Sequence, residues 1–352
     1  MRALVVLLSV TLLGVTGQAA STPHDAAAKA LKVEYRLSFA PDVVRTNVVG
    51  NLAVVQFSGT SYWTPPPPGN PRLRILLQRF SFGWQAIDEI PRPGYPDQVD
   101  DLCGFRARGI PPGVVDRLLK GMPRGDTTTP CPKGISGDVG PPAEVDAVRK
   151  KMAGTGFIPW VIVDGNYANV EQFALNGVTM GKLDGDWVEL SFATIGRDGM
   201  KRGGIPTAVA CRLEPFDTET SKTCTSALPL PTVQEQEAVI LVEHYYYLWS
   251  ARRYPDAYRF LSAAYRRAHP YAGWLKDHTS TGIIYVDTAH ASGPNVVALS
   301  IIAKPNDPQL EMSDQYNTTY AGTWRVVREG GALKLDSADL HQTKMNSGAR
   351  RP

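Results

Sequence analysis

Residues 109–118 read GIPPGVVDRL, and ninety-five residues later residues 204–213 read GIPTAVACRL. Gly, Ile, Pro, Val, Arg and Leu keep their places in both. A segment carried twice constrains the fold strongly, because the same local chemistry must be satisfied in two settings. Pro111 and Pro206 suit a first helical turn, where the missing N–H had no partner to lose. Val114, Val115 and Leu118, and then Val209, Ala210 and Leu213, follow at helical spacing and give each helix one apolar face.

The match continues upstream. VVGNLAVVQF (48–57) aligns with IVDGNYANVEQF (162–173) at Gly-Asn-x-Ala, each a turn with an apolar strand. LRILLQRFSFGWQAID (73–88) aligns with VTMGKLDGDWVEL (178–190), each a hairpin with a tryptophan, Trp84 or Trp187, just past its turn. Ser81–Gly83 is the first turn and Asp184-Gly185 the second, Asp-Gly being a strong hairpin signal. The expectation is two tandem hairpin-plus-helix α+β units, 21–135 and 136–225. SGTSYWTPPPPGNP (58–71) lengthens the first; its prolines cannot sit inside a paired sheet, so it reads as an exposed extended loop. Arg117 and Arg212 could form a ligand-binding pair, but surface arginines are mostly solvated, and they read as the outer sides of their helices. Asp184-x-Asp186 opens like a calcium loop but lacks the glycine and glutamate of that pattern, so no metal site is expected. The unit resembles repeats of secreted bacterial proteins over residues 32–215, and that resemblance implies no activity.

The N-terminus reads MRALVVLLSVTLLGVTGQAAS. Arg2, an apolar run from Ala3 to Val15, and the small pair Gly17-x-Ala19 at −3/−1 have the layout of a signal peptide, residues 1–20, cleaved before Ala20 or, as the near alternative, after it. The run is shorter than the ~20 residues a spanning helix needs, so the mature chain is expected not to span a membrane. The four cysteines, Cys103, Cys131, Cys211 and Cys224, form no C-x-x-C pair and no Cys/His cluster. An even number in an exported chain predicts disulfides. Three pairings are possible; Cys103–Cys131 with Cys211–Cys224 keeps each bridge within one unit.

Net charge is +3, with lysines and arginines scattered among acids. The basic cluster free of acids is the tail KMNSGARRP, and no basic face interleaved with aromatics stands out, so nucleic acid is not an expected partner. Residues 226–232 read as a Pro-bearing linker. After it, EAVILVEHYYYLWSARR carries an apolar stripe at Ala238, Val242, Tyr245 and Trp249. YPDAYRFLSAAYRRAHPY predicts a second helix with Ala257, Phe260, Leu261, Ala264 and Tyr265 on one face, and HPYAGWLKDH a short third. The period then switches to strands in TGIIYVDTAHA, NVVALSIIAK, YNTTYAGTWRVVR and LKLDSADL.

That order, with YYYLWSARRYPDAYRFLSAAYR, then PYAGW, then TYAGTWRVVREGGALKLDSADL, resembles the NTF2-like superfamily (SnoaL-like, cystatin-like α+β cone) over residues 233–341, leaving 342–352 as a disordered tail. The resemblance implies a curved antiparallel sheet around a cone able to hold a small apolar ligand. Tyr246, Trp249, Tyr258, Tyr265 and Asp287 are the candidate lining. An isomerase-like site would need a carboxylate base facing a tyrosine; Asp287 and Asp336 are available, yet no motif sets either opposite one. His269, before Pro270, reads as a helix-end residue. No catalytic residue and no cofactor is assigned.

The functional expectation is an exported, non-catalytic binding or scaffolding protein of the bacterial periplasm or cell envelope, its partner an unknown small molecule or envelope protein. The alternatives are an isomerase- or dehydratase-like enzyme using the cone, and a secreted partner-binding protein using the Pro-rich loop 64–71 as a preformed extended arm.

Overall fold

The computed structural model describes residues 22–35, 42–57, 74–90, 105, 108–122, 137–171, 177–190, 196–214, 231–279, 281–306 and 317–345. Residues 1–20, read above as a signal peptide, the Pro-rich stretch 58–71, Cys103, Cys131, Cys224 and residues 226–230 lie outside them. The fold class is α+β, with three four-stranded antiparallel sheets among the described residues. The chain divides into two units. One holds the described residues up to Val163 together with Ala168–Val178; the other holds Asp164–Tyr167 and the described residues from Thr179 onward.

In the first unit, helix α1 (Pro23–Tyr35) precedes strands β1 (Val43–Val49), β2 (Leu52–Phe57), β3 (Arg74–Phe80) and β4 (Gly83–Ile90), which form a meander in chain order. Helix α2 (Pro112–Leu118) follows. One sheet face buries Ala53, Val55, Phe57, Ile75 and Leu77 against Ala26, Ala27, Ala30 and Leu31 of α1. The other buries Val54, Leu76 and Ile87 against Val115 and Leu118 of α2. Strand alternation thus feeds two cores, and β2 is apolar from Leu52 to Val55 because both its faces are covered. The sequence reading put one helix on this sheet. It missed α1, whose buried face is mostly alanine and contrasts weakly with its surroundings.

Helix α3 (Pro142–Lys151) was also unread. Its Arg149 is 1% exposed and donates Nε and Nη2 to Asp138 Oδ2 and Oδ1 at 2.9 and 2.6 Å, and Nη1 to Gln85 Oε1 at 2.9 Å. A carboxylate that takes a guanidinium bidentately supplies the pairing a buried charge requires.

Strands β5 (Val161–Asp164), β6 (Tyr167–Val170), β7 (Val178–Leu183) and β8 (Asp186–Glu189) form the second sheet, again in chain order. Asp184 (φ 48°) and Gly185 (φ 89°) make the β7–β8 turn, both left-handed as a two-residue hairpin of this kind requires. Helices α4 (Gly196–Arg202) and α5 (Thr207–Leu213) follow.

The two Gly-Ile-Pro segments fold alike. Gly109 and Gly204 are left-handed, at φ 64° and 82°. The next residue donates its N–H five residues back, Ile110 to Phe105 O at 3.0 Å and Ile205 to Met200 O at 2.9 Å. This is the Schellman bond that ends a helical turn after a left-handed glycine. Pro111 and Pro206, both extended, then cap α2 and α5. At Gly204 a side chain is also excluded by space, since a Cβ would lie 2.4 Å from Ala289 O. The segment is a stop and a start: glycine ends one helical turn and proline opens the next.

In the second unit, α6 (Val233–Ser250) begins at a capping box. Thr232 Oγ1 accepts from Glu235 N, and Glu235 Oε2 accepts from Thr232 N at 2.7 Å, which holds that carboxyl below its usual range. Residues 238–249 are all buried, so α6 is a central helix rather than the amphipathic one expected. The predicted second helix is two, α7 (Tyr254–Arg259) and α8 (Ala263–Ala268). The break has a cause. Ser262 N donates to Leu335 O at 2.7 Å, and Leu335 N donates to Phe260 O at 2.8 Å, which pulls the chain onto a strand. Ser262 Oγ then caps α8 at Tyr265 N, 2.9 Å away. Helix α9 (Tyr271–His278) leads to β9 (Thr281–Gly293), β10 (Val296–Pro305), β11 (Thr318–Glu329) and β12 (Ala332–Met345), a meander close to the four predicted runs. Strand β12 continues to Met345, four residues beyond the expected boundary at 341.

Candidate functional site

Helix α6 presents Tyr245, Tyr246 and Trp249 on adjoining turns toward β11. Trp324 of β11 donates its indole N–H to Tyr246 Oη at 3.0 Å. Tyr245 lies 5.8 Å from the Trp324 ring, and Tyr246 stacks on Trp249 at 5.9 Å. Helix α9 adds Trp274 and His278, whose rings lie 6.1 and 4.2 Å from Trp249. Tyr258 of α7 and Tyr265 of α8 close the group, 5.2 Å from Trp274 and 5.7 Å from Trp324.

Four of the five predicted lining residues therefore do come together. Tyr246 is 1% exposed and Trp249 8%, while Tyr258 and Tyr265 are half-buried at the margin. What they form is a packed aromatic core with ring spacings of mutual contact. Burial pushes the Tyr245, Tyr246 and Tyr265 phenols up from their usual value, so at neutral pH they are protonated. Asp287 makes none of these contacts. It is the extra residue of a β-bulge in β9, between Val286, paired with Ile301, and Thr288, paired with Ser300. Asp336 accepts from Ser262 Oγ at 2.8 Å, and the His269 ring sits 3.1 Å from Tyr265 O at the end of α8, a helix-end role.

Two groups on α6 escaped the sequence reading. Glu243 is fully buried, and its charge helps raise the Tyr167 phenol, although burial of Tyr167 is the larger cause. His244 Nδ1 lies 2.7 Å from Glu189 O, and its ring meets Phe260 edge-on at 5.2 Å. The available signal was Glu-His set in the apolar run AVILVEHYYYLW, where a charge in a buried helix needs an explanation.

No family model, curated protein or solved structure matches this chain. Assignment therefore rests on residues and geometry.

Arg212 pairs with Asp164 at 2.6 Å with both groups partly exposed, and Arg117 is exposed, so the two arginines face solvent as expected. Asp184 serves the hairpin turn, and its carboxylate also accepts from Leu333 N at 3.2 Å and pairs with Arg328 at 3.2 Å. Among the described residues no group of three His, Cys, Asp or Glu could hold a metal ion, and no helix is long and apolar enough to cross a membrane. In the first unit a cavity of about 30 Å³ beside Lys29, Trp84 and Gly154 has room for one or two waters. Cys211, on α5, is disulfide-bonded, and its partner lies outside the described residues.

Proposed function

We propose that this protein is an exported, non-catalytic binding or scaffolding module of the bacterial periplasm or cell envelope. In this reading residues 1–20 are a signal peptide, 21–135 and 136–225 are tandem copies of one α+β unit, and 233–341 are an NTF2-like domain. The observation that carries it is the aromatic packing of Tyr245, Tyr246, Trp249, Trp274 and Trp324 on one another. A cone built to turn over a small molecule keeps a carboxylate and a donor facing free space; here Tyr246 already accepts from Trp324. Two meanders in chain order, each followed by a helix opened by Gly-Ile-Pro, support the duplication. A duplicated fold needs only its core in both copies, and the polar position differs: Asp116 stands where Cys211 stands in the other copy.

The test is thermal unfolding with and without a small apolar ketone, on the parent and on Tyr246→Phe. No rise in Tm with ketone is expected. The variant should lose about 1–3 kcal/mol by leaving the buried Trp324 N–H without an acceptor. A Tm that rises with ketone in the parent and not in the variant, together with turnover of that ketone by the parent, overturns the non-catalytic reading.

A second reading, a small-molecule enzyme, has one observation in its favour: a carboxylate, Glu243, fully buried on α6. That reading requires Glu243→Gln to abolish the ketone response without unfolding the protein.

A further inference from the structure

Residues 252–278 carry Arg252, Arg253, Arg259, Arg266, Arg267 and Lys276 against only Asp256 and Asp277, a net +4 in a chain whose total is +3. All the other residues together sum to −1. These 27 residues run from just past α6 through helices α7, α8 and α9, and the fold brings them together. Tyr258 Oη donates to His269 O at 2.8 Å and to Arg266 O at 3.3 Å, which ties α7 to the end of α8. The Tyr258 ring meets Tyr271 of α9 at 5.0 Å. Lys334 of β12 donates to Arg259 O at 2.8 Å and adds a further cation at the margin.

The acids of the segment are outnumbered, and Glu329 and Asp336 beside it are committed to the start of α8. Asp256 is shared by Arg253 at 2.8 Å and Arg259 at 3.4 Å. Glu329 accepts from Ala263 N and Asp336 from Ser262 Oγ, both at the opposite end of α8 from Arg266 and Arg267. Among the described residues no carboxylate lies within ion-pair distance of Arg267 or Lys276, and both are exposed, as are Arg259 and His269. A cluster with a net excess of cations raises the local concentration of anions.

We propose that this α7–α9 face binds an acidic polysaccharide, a polymer with carboxylates spaced along a hydroxylated chain. Guanidinium forks suit oxyanions, and the half-buried rings of Tyr258, Tyr265 and Tyr271, with His269 stacked on Tyr265 at 4.3 Å, offer flat edges to sugar rings. The surroundings disfavour an anionic membrane. Between the cations the exposed residues are Pro255, Ala264, Ala268, His269, Pro270, Ala272 and Gly273, with no large apolar side chain to enter a bilayer.

The inference rests on the binding-module reading and adds its partner. The experiment is calorimetric titration of the full chain with an oligouronate of ten sugars. The other arms are an uncharged glucan of equal length, single-stranded DNA and anionic phospholipid vesicles. The oligouronate is expected to bind and the glucan not. The variant Arg259→Ala/Arg267→Ala/Lys276→Ala should bind at least about tenfold more weakly and with a shallower salt dependence, since fewer counterions are released. A control that removes three exposed cations elsewhere, Arg117→Ala/Lys120→Ala/Lys150→Ala, should match the parent. All three proteins should share one Tm, which separates lost contacts from lost folding. Equal oligouronate binding by parent and variant, absent binding by the parent, or tighter binding of DNA or vesicles would each overturn the proposal. None of these outcomes touches the ketone response on which the non-catalytic reading depends.

Discussion

Arg149 is buried to 1%, and its donors are met by Asp138, Gln85 and the main-chain oxygen of Ile158. Asp138 in turn accepts from Val161 N at 3.0 Å, which links helix α3 to the start of β5. Replacing Arg149 by alanine strands these acceptors, and the expected loss is about 3–5 kcal/mol in urea unfolding, as for other broken buried pairs. Arg117→Ala, at an exposed site, should stay within about 0.5 kcal/mol. Equal costs for the two would refute the network's structural role. His278 gives a pH dependence at the same scale. Burial, aided by His269, pushes its imidazole down from 6.5 to about 4, against the Trp274 main chain and Asp277, which raise it. The unfolded chain then protonates this ring near pH 6.5, while the folded protein does so only near pH 4. The stability it contributes is present at neutral pH and is lost as pH falls through that window. Unfolding midpoints measured from pH 7 to 4.5 should decline, and His278→Phe should remove part of the decline; identical profiles would count against it.

Helices and strands answer to different parts of the sequence. Leu118 and Leu213, at the same place in the two Gly-Ile-Pro segments, are each 0% exposed. Truncating either to alanine should cost about 2–5 kcal/mol by denaturant unfolding, because each leaves a cavity under a short helix. A cost below 1 kcal/mol at both would mean that these helices do not cover their sheets as packed here. The hairpin turns, the four C-terminal strands and the starts of α2 and α5 were legible, since proline and Asp-Gly act through bonds within a few residues. Helices α1, α3 and α4 were not. Alanine in α1 and a buried arginine in α3 blur the apolar stripe that reading relies on. The split between α7 and α8 was hidden because it is made by Leu335, more than seventy residues away.

For the whole molecule the proposals concern export and crosslinking. Mass analysis of exported protein should find the mature N-terminus at or just after Ala20; retention of Met1 would sink the signal-peptide reading. Non-reducing peptide mapping should pair Cys211 with Cys224 and Cys103 with Cys131. Cys211 joined instead to Cys103 would remove the argument that each unit is closed within itself.

What the sequence determined by itself is the local grammar. A left-handed glycine ends a helical turn, proline opens the next helix, Asp-Gly turns a hairpin, and alternation orders the C-terminal strands. Each acts over fewer than ten residues, and the backbone obeys it wherever the segment lands. Only the tertiary structure decided the rest: that β2 is covered on both faces, that α6 is buried all round, and that Tyr246 and Trp249 pack as core. It also separated Asp287 from the tyrosines and gathered the cations of α7, α8 and α9 on one face. Those outcomes depend on which distant side chains compete for the same space and the same hydrogen bonds, and no short window of residues contains that competition.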